Sequence, residues 1–124
     1  MKKLFISVPM KGRTEKNIRK SMQKMHKIAE AVWEQELEVI PTYIEDKPPE
    51  NAKQALWYLG KSIQLMAEAD YFIGIEYTNL FHGCDIERDA AFNYDIPRFL
   101  VPIKDVAMDA WEMDVQTCTV GGNG

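Results

Sequence analysis

Two short segments carry the side chains from which chemistry could be built. The first, Gly83-Cys84-Asp85-Ile86-Glu87, stands at the predicted start of a helix. Acids are stabilised there by the positive end of the backbone dipole, which accounts for Asp85 and equally for Glu87. Position separates the two. With Ile86 turned to a sheet, Glu87 lies about 100° round the helix and looks toward the strand ends, where ligands of α/β proteins bind. A carboxylate held in such a cleft is suited to attack an electrophilic sugar carbon and form a glycosyl ester. The second segment, Pro9-Met10-Lys11-Gly12-Arg13, joins a predicted strand to a helix. Its glycine lets the backbone approach an anion, and its cations and free N–H groups attract phosphate or carboxylate. It is neither a Walker loop nor the dinucleotide glycine fingerprint. A plain turn with two solvated cations accounts for the same residues.

A third segment, Trp57-Tyr58-Leu59-Gly60-Lys61-Ser62, offers two rings for stacking on a planar base and a hydroxyl for a hydrogen bond. Ordinary core, rim and surface positions account for it as well. His26 reads as a rim histidine and His82 as a helix cap or a cleft residue. Cys84 is a thiol at a helix start, and Met22, Met25 and Met66 are core filler. No spacing of His, Cys and acids suggests a metal site, and no cofactor is expected.

The elements that must position these groups follow from periodicity. Apolar runs predict strands at Lys3–Val8, Glu38–Pro41, Tyr71–Ile75 and Arg98–Val101. A helix capped by Thr14 runs to about Glu36, with Ile18, Met22, Met25, Ala29 and Val32 on its apolar face. A second is capped by Asn51, with Ala52, Leu56, Leu59, Ile63 and Met66 inward. A third runs from Gly83 to about Tyr94, with Ile86, Ala90 and Asn93 inward. A short last helix is expected over Val106–Met113, carrying Trp111. This alternation predicts an α/β fold, a Rossmann-like three-layer sandwich with a parallel sheet of four to five strands. The segments Pro9–Arg13, Pro41–Asp46 and Glu76–Glu87 then meet at the carboxyl ends of the strands.

The chain has 124 residues, a net charge of −4 and 46% hydrophobic residues, as expected of one domain, residues 1–115, followed by a flexible tail, 116–124. The acidity argues against a nucleic-acid partner, which needs a basic stripe. No apolar run is long enough for a membrane span, and Met1-Lys2-Lys3 does not open a secretory signal. Two cysteines, Cys84 and Cys118, make no disulfide framework, so a reducing cytoplasm is the expected setting.

Taken together, FISVPMKG, the segment Ala69-Asp70-Tyr71-Phe72-Ile73, and Gly83-Cys84-Asp85-Ile86-Glu87 followed by Ala90-Ala91 resemble the nucleoside 2-deoxyribosyltransferase-like superfamily. ISVPMKGR and LWYLGKS are most similar to its phage-type branch, which is related to the deoxynucleoside 5′-monophosphate N-glycosidases. The resemblance spans about Lys2 to Val101. It implies a flavodoxin-like fold with sheet order 2-1-3-4, and a homodimer or larger homo-oligomer. It implies that Glu87 attacks C1′ of a deoxynucleoside or deoxynucleotide, with transfer to another base or to water. It assigns Met10, Lys11, Gly12 and Arg13 to the phosphate and Gly83 to the sugar or phosphate. Ser7 and Pro9 beside that turn, and Trp57 and Tyr58 from their own chemistry, are further candidates for binding the substrate. Active members carry a second acid on helix two. Counting back eight positions from Asp70 puts Ser62 in its place, so Ser62, Asp85 or a water is left to move the proton. Phe5 lies near the position of the transferases' tyrosine, and Val8 replaces their glycine. Two other readings therefore stay open: a nucleotide-binding protein of this fold without catalysis, and an interaction module using the Glu45-Asp46 loop and Trp111.

Overall fold

Residues Lys2–Ile6 form the first strand, β1, and place Leu4 and Ile6 on one face and Phe5 on the other, all buried. The computed structural model describes residues 1–10, 12–42, 44–77 and 80–106. After β1 come α1 (Glu15–Trp33), β2 (Leu37–Val39), α2 (Gln54–Met66), β3 (Tyr71–Ile75), α3 (His82–Asn93) and β4 (Arg98–Val101). A single 3₁₀ turn, Ile103–Asp105, follows. The four strands form one parallel sheet in the order β2-β1-β3-β4, as the sequence led us to expect. No helix among the described residues is long and apolar enough to cross a membrane.

The pleat divides the core in two. Leu4, Ile6, Ile73 and Ile75 pack with Met25 and Ala29 of α1. On the opposite face Phe5 and Phe72 pack with Met66 of α2 and Ala91 of α3. Phe5 and Phe72 are register partners, and their rings stack with centroids 5.8 Å apart. Two residues beyond Phe72 on that face stands Gly74, where an added Cβ would lie 2.8 Å from the Phe72 ring. That ring needs the space a glycine leaves.

The Thr14 hydroxyl accepts from the Asn17 N–H at 3.1 Å and caps α1. This helix ends at Trp33, short of Glu36, because Glu34 turns left-handed with φ 53°. The Glu30 carboxylate then accepts from the Leu37 N–H at 2.9 Å, and His26 Nε2 lies 2.8 Å from the Leu37 carbonyl. Together they tie β2 to α1. Asp70, in the segment that opens β3, accepts from the Lys3 N–H at 2.8 Å and donates its own N–H to Lys3 O at 2.9 Å.

Three expectations need correction. Helix α2 begins at Gln54, with Lys53 as its cap, because Asn51 (φ 70°) belongs to the turn before it. On α3 the buried residues are Cys84 and Ala91, while Ile86 and Asn93 are exposed. Small side chains on the inner face let this helix approach a sheet already filled by Phe5 and Phe72. Leu56 and Val32 are likewise exposed. Of the expected Val106–Met113 helix, only Val106 is described, buried after the 3₁₀ turn. The rest of that segment, Trp111, Cys118 and the tail lie outside the described residues.

Candidate active site

Past Ile6 the chain stays buried through Ser7, Val8 and Pro9. The Ser7 N–H donates to Ile73 O at 2.8 Å, continuing the β1–β3 ladder one residue further. This holds the Ser7 hydroxyl beneath α3, where it donates to Glu87 Oε1 at 2.6 Å. Burial pushes the Glu87 carboxyl from an ordinary 4.5 up to about 7, and the Ser7 hydrogen bond opposes that rise. The same burial, together with the Glu87 charge, pushes the Cys84 thiol up to about 12. Cys84 is therefore an inert thiol at neutral pH, not a nucleophile.

Glu87 lines a cavity of about 600 Å³. Its deep wall is Phe5, Ile6, Val8, Phe81 and Cys84, all buried. One side comes from α2 through Ala55, Leu56, Tyr58, Leu59 and Ser62. The other comes from α3 through His82, Gly83, Ile86 and Glu87, and Met10 and Thr42 complete the lining. The walls are chiefly apolar, with few polar groups, as in many small-molecule sites. Among the described residues no Lys or Arg side chain lines it.

The structure thus brings Glu87, Ser62, Tyr58, Gly83 and Met10 to one hollow, with Ser7 bonded to Glu87 behind it. Other expected site residues lie elsewhere. The Arg13 guanidinium donates to Pro9 O (2.9 Å), Asn17 O (3.1 Å) and Ser21 Oγ (2.6 Å), strapping the turn to α1 rather than turning to solvent. Gly12, at φ 75°, sits in that turn, which the Arg13 N–H closes onto Met10 O at 3.1 Å. Pro9 is buried under the turn and is not part of the lining, and Lys11 lies outside the described residues. Trp57 packs edge-on against Tyr58 at 5.1 Å, beneath the Lys61 ammonium, and leaves the cavity to Tyr58. Asp85 faces Arg88 Nη1 at 3.4 Å; burial raises its carboxyl and the Arg88 charge opposes this. It does not line the cavity.

The sequence reading missed the bond between Ser7 and Glu87 and the apolar α2 wall of Ala55, Leu56 and Leu59. Its only signal for Ser7 was a hydroxyl closing an apolar strand. Among the described residues no group of three or more His, Cys, Asp or Glu could hold a metal ion. No protein-family model, curated protein or solved structure matches this chain.

Proposed function

We propose that this protein breaks the N-glycosidic bond of a deoxynucleoside or deoxynucleotide, as a small member of the nucleoside 2-deoxyribosyltransferase-like superfamily. The observation that carries the reading is the Glu87 carboxylate, tethered by Ser7 on the wall of a cavity at the carboxyl ends of the strands. With Oε1 held by the hydroxyl, Oε2 is the oxygen that attacks C1′. The bond from C1′ to the base breaks and a glycosyl ester forms on Glu87. Water or a second base then attacks C1′ and restores the carboxylate. Positive charge develops on the sugar in both steps, and a carboxylate poised in an apolar site stabilises it more than one in water would. The aromatic and aliphatic α2 wall suits the face of a base, with Tyr58 beside it.

The test is incubation of purified protein with a panel of deoxynucleosides and their 5′-monophosphates, followed by chromatography of the free bases. Base release by the wild type and none by Glu87→Ala is the expected result. Release that persists in Glu87→Ala ends the reading. The same reading implies a homodimer or larger assembly, measurable by light scattering, and the cysteine usage suits a reducing cytoplasm.

Ser62, which lines the cavity where active members carry an acid, favours a second reading: a nucleotide-binding protein without turnover. Calorimetric binding of a nucleotide by a protein that releases no base would select it.

A further inference from the structure

The proposed reaction leaves one proton to be placed. A purine or pyrimidine departs from C1′ with an electron pair on nitrogen and leaves far faster when that nitrogen is protonated. Ser62 stands on the α2 wall, but a serine hydroxyl is a poor acid. The Cys84 thiol is held to its proton by burial. Asp85 is turned onto Arg88 and is not part of the lining. Thr42 carries a hydroxyl as weakly acidic as that of serine, so of the lining side chains that carry a proton Tyr58, His82 and Glu87 remain. A phenol keeps its proton near neutral pH, whereas an imidazole both gives and takes one there.

We propose that His82 is the general acid of this site, delivering the proton to the departing base while Glu87 takes the sugar. This inference rests on the reading that Glu87 attacks C1′. His82 opens α3, and Glu87 follows five residues later, about 140° round the axis and about 7.5 Å along it. Both line the same cavity, with His82 exposed at the mouth and Glu87 bonded to the buried Ser7 within. A deoxynucleoside with C1′ at Glu87 points its base outward, between Tyr58 on α2 and His82 on α3. The charged groups around His82 are Asp85, whose charge and that of His82 act on one another, Glu87 on the same cavity wall, and Arg88 paired with Asp85.

The proton balance closes. In the first step a Glu87 oxygen bonds to C1′, the bond from C1′ to nitrogen breaks, and the imidazolium proton passes to the base. In the second, the oxygen of water bonds to C1′, the ester bond breaks to regenerate the carboxylate, and the imidazole takes the proton that water sheds.

Leaving-group dependence tests this. The probes are 2′-deoxyinosine, whose base needs a proton, and 4-nitrophenyl 2-deoxyribofuranoside, whose nitrophenolate leaves without one. His82→Gln is expected to lower kcat/KM on deoxyinosine, which reports the base-releasing step alone, by about 10²-fold or more and to remove the alkaline limb of its pH profile. Its loss on the nitrophenyl glycoside is expected to be less than about tenfold, because acid catalysis contributes little there. An equal loss on both probes, or deoxyinosine turnover that keeps its alkaline limb, overturns the role of His82. If Glu87→Gln is silent on both probes in that case, the glycosyl reading stands without it. A wild type that cleaves neither probe, nor the 5′-monophosphate of either, removes the glycosyl reading and the proton role together.

Discussion

Ser7 and Glu87 lie 80 positions apart in the chain, and their side chains meet at 2.6 Å, hydroxyl to carboxylate. One is fixed by the β1–β3 ladder and the other by α3, so the bond joins the sheet to the helix at the wall of the cavity. Burial there disfavours the charge, and the hydroxyl is the neighbour that partly restores it. A group balanced in this way titrates where an enzyme works.

The first prediction concerns stability. Glu87 holds its proton in the folded chain up to about pH 7 and, at its ordinary value of 4.5, loses it much earlier when unfolded. Below both values the two states bind the same proton. Between them the folded state alone keeps it, so stability falls as pH rises, by on the order of 3 kcal/mol in all. Glu87→Gln, which cannot ionise, is expected to match the wild type near pH 4.5 and to exceed it at pH 8 by up to this amount. Urea midpoints at the two pH values measure the difference. A variant no more stable than wild type at pH 8 contradicts the burial cost.

The second concerns the hydroxyl. Ser7→Ala removes a bond that lowers the Glu87 pKa, so that value rises above about 7. The acid limb of the kcat/KM profile is expected to move to higher pH, with several-fold lower activity at pH 7 and partial recovery at pH 8.5. A limb that stays in place shows that the bond does not hold the carboxylate form.

The third concerns Arg13. Its guanidinium binds two backbone carbonyls and the buried Ser21, so Arg13→Ala leaves polar groups without this donor. The expected loss of stability is about 1–3 kcal/mol, seen as a lower urea midpoint. Binding of a deoxynucleoside and of its 5′-monophosphate is expected to fall by the same factor. A loss confined to the monophosphate, with its affinity no longer sensitive to salt, would assign Arg13 to phosphate instead.

The fourth tests the packing behind the site. Gly74→Ala puts a methyl group 2.8 Å from a Phe72 ring that is itself stacked on Phe5. Overpacking of this kind costs about 1–3 kcal/mol. Thermal unfolding at equal protein concentration would show it, and an unchanged melting temperature would mean that the ring moves freely.

Much of the fold was legible in the sequence. A continuous apolar run located β3 to the residue, because a central strand buried on both faces carries little else. The short run after Pro97 located β4, although Arg98 and Phe99 of this edge strand are exposed. The rotation of α2 and α3 was not legible. Leu56 and Ile86 are apolar yet exposed, since each lines the cavity instead of the core. A helix face shaped for a ligand has the same hydropathy as one shaped for a sheet, and periodicity cannot separate them. Glu87 could be placed by the rule that sites gather at strand ends. Its contact with Ser7 could not, because it depends on how two distant segments are brought together. Arg13 has the opposite lesson: a cation in a turn reads as open to an anion, and here it serves the carbonyls around it.

Asp70 and Lys3 are paired where β1 and β3 begin, at the far edge of the sheet from the hollow. The acid that stands out in the segment opening β3 is thus a clasp for the architecture, set apart from the cavity. Each strand consequently divides its labour along its length. Variation at the amino edge will register as lost yield of folded protein and, on the proposed function, variation at the carboxyl edge as lost reactivity in protein that still accumulates.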